Sequence, residues 1–277
     1  LHSEPARTMV CLIIVILGSL FFQFTEAATR SSSVTTNFHE SSSFVSTNLP
    51  SDTLSSNERG KLLSENYSAQ ELYEAYESVY QDYDNKAFGS NDWKILHNTG
   101  DGVEVSILEH ENDENCPYVR MTVIFDSPVE VVWDFLSITN WNEAFPKIDP
   151  FFDGIQIFEQ ETLPEKGADL TLLWKKSKRL LAFRKRDFLF VSVTNPPRED
   201  GMWVAGTVSI RTPRYPRVPG YTRAYQDSIS FYEPLDGGKR TKLTAVCRLD
   251  LNDSSADGEG GLIPMWLYLR TIGNTGA

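Results

Sequence analysis

The chain has 277 residues and 31.4 kDa, of which 40% are hydrophobic and 23% charged, with a formal net charge of −12. Six Trp, eleven Tyr and sixteen Phe exclude disorder of the whole chain, three Cys exclude a disulfide scaffold, and the acidic balance excludes a general nucleic-acid binder. The length leaves room for one domain of about 200 residues with tails.

Val10–Phe24 is a 15-residue run without a charge. A spanning helix needs about 20 apolar residues, so the run suits the apolar region of a secretory signal peptide, with small residues following at Thr25-Glu26-Ala27. An uncleaved anchor and a buried core helix are the competing readings. Residues 1–28 are therefore assigned to a signal or anchor. The domain is expected in the secretory pathway, secreted or membrane-anchored on the luminal side, with a cytoplasmic membrane-associated placement as the alternative. Residues 29–60 form a linker: Ser31–Ser56 holds ten Ser, four Thr and no Lys or Arg, too little apolar surface to offset its ordering entropy. Residues 61–277 are the folded domain.

Ser68-Ala69-Gln70-Glu71 reads as a capping box, and Leu72, Tyr76, Val79, Tyr80 and Tyr83 recur at helical spacing, so the pattern predicts a helix over 68–86. Trp93–His97 and Val103–Glu109 are extended runs about an Asn-Thr-Gly-Asp-Gly turn. The acidic stretch Glu109–Asn115 lacks a calcium-loop spacing and reads as a solvated hairpin tip. Tyr118–Phe125 is a β-branched run. Ser127 and Pro128 are then expected as N-cap and first residue of a helix whose apolar face is Val129, Val132, Trp133 and Leu136. After Pro146 the pattern turns extended: Phe151–Gln160, Asp169–Trp174, Asp187–Thr194, Met202–Arg211, Arg223–Tyr232 and Lys242–Leu251, each bounded by Gly, Pro or Asp. Gly260–Pro264 opens a closing helix through Trp266. Strands in succession without intervening helices predict an antiparallel sheet.

Five stretches in this order resemble the START family of lipid-transfer domains: Asp101–Val105, Ser127–Trp141, Arg186-Asp187-Phe188, Pro219–Ala224 and Gly261–Leu267. The resemblance covers about residues 68–277. It implies an α+β helix-grip fold, a curved antiparallel sheet of about nine strands wrapped around a long C-terminal helix, with one lipid enclosed between them. It also implies a non-enzymatic monomer whose partners are a lipid ligand and a membrane surface. The chain departs from the family pattern at Ser192, where several relatives place a tunnel-facing Arg, and at Asn142, where many carry an Asp. Ala277 follows Pro264 by thirteen residues, so the closing helix is expected to be short.

On this reading the alternating residues Val204, Gly206 and Val208 of one strand and Ala245, Cys247 and Leu249 of another line the lipid cavity together with Trp266. Residues 175–186 carry seven Lys or Arg and no acid around an apolar centre, so Lys175, Lys176, Lys178, Arg179, Leu180, Leu181 and Phe183 are expected to dock on an anionic membrane. Residues 211–223, with four Arg and no acid, are the second docking candidate. No catalytic residue, metal site or cofactor is expected: G-x-S-x-G, H-E-x-x-H, C-x-x-C and a phosphate-cradling Gly loop are all missing. A helix-grip hydrolase or cyclase acting on a hydrophobic ligand, and a membrane-tethered lipid sensor, are the alternatives. If the domain is luminal, Cys116 and Cys247 could pair, although two buried thiols fit their positions better.

Overall fold

The computed structural model describes residues 60–89, 92–100, 102–109, 117–148, 152–178 and 185–250. The signal or anchor run, the Ser/Thr linker, Cys116, the segment 179–184 and the closing helix with Trp266 lie outside the described residues. No described helix is long and apolar enough to cross a membrane.

Helix α1 spans Ala69–Phe88. Its first turn is closed by Ser68, whose Oγ accepts the Glu71 amide at 3.2 Å. Ala69, Leu72, Tyr73, Ala75, Tyr76, Tyr83 and Ala87 are the residues it buries, a stripe along one face of the helix. Strands β2 (Lys94–Asn98), β3 (Val103–Leu108) and β4 (Tyr118–Phe125) follow as a meander.

Helix α2 (Val129–Leu136) begins one residue later than expected. Pro128 stands at the N-cap in extended conformation and makes no side-chain cap bond. The Ser127 carbonyl is instead tied to the sheet by the Thr241 hydroxyl at 2.8 Å. A 3₁₀ turn at Ile138–Asn140 leads into α3 (Trp141–Ile148), which runs on through Pro146 where extended chain is expected from the sequence.

Six long strands complete the sheet: β5 (Phe152–Leu163), β6 (Ala168–Ser177), β7 (Arg186–Thr194), β8 (Trp203–Arg211), β10 (Tyr225–Leu235) and β11 (Arg240–Asp250). Two-residue strands add to it: β1 (Lys61–Leu62) pairs parallel with β8, and β9 (Thr222–Arg223) pairs parallel with β7. The main path runs β2-β3-β4-β11-β10-β8-β7-β6-β5, nine strands, every adjacent pair antiparallel. This is the expected α+β architecture, with the nine strands in the order read from the sequence. The two short strands escaped that reading because two residues are too few to show alternation.

The sheet is buried on both sides, and its two faces carry separate cores. The outer face packs against α1 through Leu172, Leu189, Val191, Val204, Val208, Ile210, Ile229, Phe231 and Val246. The inner face packs against α2 and α3 through Met121, Leu173, Phe188, Phe190, Tyr232, Leu243, Ala245 and Cys247. Side chains alternate across a strand, so one residue of register decides which core a position joins.

Candidate functional site

That register divides the expected cavity residues. Ala245, Cys247 and Leu249 point to the inner face, and all three are buried there. Val204 and Val208 point the other way, into the core under α1. Gly206 also belongs to the outer side. A Cβ built on it would lie 2.4 Å from Ile229 Cδ1, 2.7 Å from Tyr76 Cε2 and 3.1 Å from the Ser228 carbonyl oxygen. Its missing side chain therefore admits the ring of Tyr76 to the sheet on that side, while its backbone borders a recess on the inner side. The grouping of 204 and 208 with 245, 247 and 249 is corrected on this ground, and Gly206 joins the inner face through its backbone alone: the side chains of β8 that point inward are those of the odd residues, Trp203, Ala205, Thr207 and Ser209.

A recess lies on the inner face at the centre of the sheet. Counting its open side it holds about 490 Å³ of empty space, of which about 50 Å³ admits the centre of a water molecule. Its roof is Trp133, Leu136, Ile138 and Trp141, from α2, the 3₁₀ turn and α3. Trp133 is fixed edge-on to Trp203 and Tyr232, with ring centroids 5.1 Å apart in each case. Trp141 donates its indole N–H to the Leu136 carbonyl at 3.0 Å and packs on Phe190. The floor is small and largely polar: Ser192 and Thr194 of β7, Ala205, the backbone of Gly206 and Thr207 of β8, Ser228 and Ser230 of β10. Ser192 faces Thr207, and Thr207 faces Ser228, in register across three strands. The Thr207 and Ser228 hydroxyls are hydrogen-bonded at 2.8 Å. Tyr232 closes one end, and burial raises its phenol above the usual value, so it stays neutral at physiological pH.

Aligned hydroxyls among otherwise apolar strand positions are the signal in the sequence that marks this floor. Apolar alternation alone does not reveal them, because they sit between bulky apolar neighbours that point to the other face. A larger groove of about 1140 Å³ lies on the outer side between α1 and the loop after β7, more open to solvent and edged by the charged residues Glu77, Lys166, Arg198, Glu199 and Asp200. Arg198 there binds Asp84 at 3.0 Å and Asp200 at 3.3 Å. The inner recess, less open and with an aromatic roof, is the better candidate for an apolar ligand.

The basic segment also divides. Lys175 is only 2% exposed and sits on the inner face of β6, its ammonium 5.7 Å from the Phe145 ring and 5.5 Å from the Phe188 ring. It is a core residue and does not belong to a docking surface, because β6 continues through Ser177 and the alternation that points Leu173 inward points Lys175 inward too. Lys176 is half-buried, with its ammonium 4.8 Å over the Trp174 ring, and Lys178 is exposed. Arg179, Leu180, Leu181 and Phe183 lie outside the described residues.

The second basic stretch meets acids that come from elsewhere in the chain. Arg214 binds Glu159 at 2.9 Å. Arg223, 4% exposed, donates through Nε and Nη2 to one oxygen of the fully buried Asp187, at 3.0 and 2.8 Å, and Trp174 donates to the same oxygen at 3.1 Å. Asp187 and Arg223 are thus structural. They lock β9 beside the start of β7, reinforced by the Ala224 amide on the Asp187 carbonyl at 2.9 Å. Among the described residues no group of three His, Cys, Asp or Glu is placed to hold a metal ion.

Two comparisons bear on this arrangement. The START domain family profile matches residues 74–258, more than half of the chain. The chain belongs to the START domain family. Among solved structures, human STARD10 superposes with a TM-score of 0.54 at 15% identity, over 74% of this chain and 73% of that one. Human StAR-related lipid transfer protein 5 does so with a TM-score of 0.54 at 19% identity, over 74% of this chain and 97% of that one. At such identities the likeness is one of fold: the helix-grip architecture. No curated protein matches the chain in sequence.

Proposed function

We propose that this domain holds one lipid on the inner face of its sheet and exchanges it with membranes as a non-enzymatic carrier. The observation that carries the reading is the recess on the inner face of the sheet, between Trp133 and Trp141 above and the Ser192–Thr207–Ser228 row below. Membership of the START family agrees with it, and so does the likeness in fold to human StAR-related lipid transfer protein 5. The recess as it stands is smaller than the roughly 300–1,000 Å³ of a typical ligand pocket. Uptake therefore requires the roof to move, and α2 and α3 are short elements joined by a single 3₁₀ turn.

Docking falls to Lys176 and Lys178 with the segment 179–184, which holds Arg179, Arg184 and the apolar Leu180, Leu181 and Phe183. Lys175 takes no part. Each basic residue near an anionic surface contributes about 1 kcal/mol, roughly fivefold in binding. The Lys176→Gln, Lys178→Gln, Arg179→Gln triple variant of the full chain is therefore expected to bind phosphatidylserine-containing vesicles at least tenfold more weakly at low salt. Its transfer of a fluorescent lipid between vesicles should fall in step. Unchanged vesicle binding by the folded triple variant would place the docking surface elsewhere.

A further inference from the structure

The floor of the recess suggests what kind of lipid head it receives. Thr171, Ser192, Thr207, Ser228 and Cys247 stand opposite one another in one row across β6, β7, β8, β10 and β11. All five are buried, between 2% and 8% exposed. Ser192, 8% exposed, lines the recess with Thr207 and Ser228. A hydroxyl at the recess offers one donor and two acceptor lone pairs to an oxygen bound there. The Thr207–Ser228 pair holds two hydroxyl protons and spends one on their mutual bond, so one donor and several lone pairs remain.

We propose that this row binds the uncharged oxygen group of a neutral lipid, a hydroxyl or an ester carbonyl, and discriminates against lipids with a phosphate head. The inference rests on the lipid-carrier reading above. A hydroxyl or carbonyl needs only the single donors and acceptors that Ser192, Thr207 and Ser228 offer. A phosphate is an acceptor-only anion, and burying it demands a paired cation. No Lys or Arg lines the recess among the described residues. The inner-face cation nearest in sequence on β6, Lys175, holds its ammonium against the Phe145 and Phe188 rings.

The test uses the full chain and two probes with the same fluorescent acyl chain: a diacylglycerol and the matching phosphatidylcholine. Diacylglycerol is expected to bind at least about tenfold more tightly, a difference of about 1.4 kcal/mol. Ser192→Ala removes one hydroxyl and little volume, so it should change the melting temperature little and weaken diacylglycerol binding several-fold. Thr207→Val with Ser228→Ala removes both partners of one bond with little change of shape, so this double variant should also fold and should lose the preference. Phosphatidylcholine binding as tightly as diacylglycerol, or an undiminished preference in both variants, overturns the proposal while leaving the carrier reading in place. If neither probe binds, the carrier reading itself fails and takes this inference with it.

Discussion

Replacing Arg223 by Ala is expected to destabilise the domain by about 3–5 kcal/mol, the usual consequence of stranding one partner of a buried ion pair. Asp187 is fully buried, and Arg223 supplies two of the three side-chain donors to its charged oxygen. Without the guanidinium, Trp174 alone cannot offset the cost of a desolvated carboxylate. The surface pair of Lys242 with Glu233, at 3.1 Å, is the control: Lys242→Ala should cost less than about 1 kcal/mol. Urea melts of both variants read the difference. Equal midpoints would mean that the Asp187–Arg223 contact does not lock β9 to β7.

Adjacent positions on β8 should fail in opposite ways. Ala205 faces the recess, so Ala205→Phe is expected to fill it and cut lipid binding more than tenfold while the domain stays folded. Gly206 faces α1. In Gly206→Ala the new methyl meets the edge of the Tyr76 ring, which Asn195 holds by a hydrogen bond to its phenol, and the Ser228 carbonyl. Ile229 can swing its terminal methyl aside, but these two cannot. The expected cost is about 1–3 kcal/mol of stability, with lipid binding kept by the folded fraction. Thermal melts paired with lipid titration separate the two effects. Loss of binding without loss of stability in Gly206→Ala would reverse the face assignment.

That face assignment marks where reading the sequence reached its end. The order of elements was legible because turn residues punctuate nearly every strand and the spacing in α1 is clean. Alternation along β8 shows that 204, 206 and 208 share a face, and alternation along β11 does the same for 245, 247 and 249. It does not show whether the two sets share one. Register does: Gly206 stands opposite Ile229 and Ile229 opposite Val246, while Ala205 stands opposite Ser230 and Ser230 opposite Ala245. Because β8 is buried on both sides, hydrophobicity could not decide between them.

Charge was misread for a related reason. Lys175 looked like the start of a solvated run, yet it occupies an inward position of a strand that continues past it. Arg223 and Arg214 looked unopposed because Asp187 and Glu159, which neutralise them, lie 36 and 55 residues away in the chain. The family likeness, by contrast, was carried by short local motifs, and these are what a sequence displays directly.

Native mass spectrometry of the full chain, purified without added lipid and compared with its Ala205→Phe variant, tests the central claim most directly. The account predicts one non-covalent adduct of lipid mass on the wild-type chain, released unchanged on gentle activation and missing from the variant. A wild-type chain without such an adduct that also takes up none from vesicles would contradict it, as would a variant that carries the adduct as fully as the wild type.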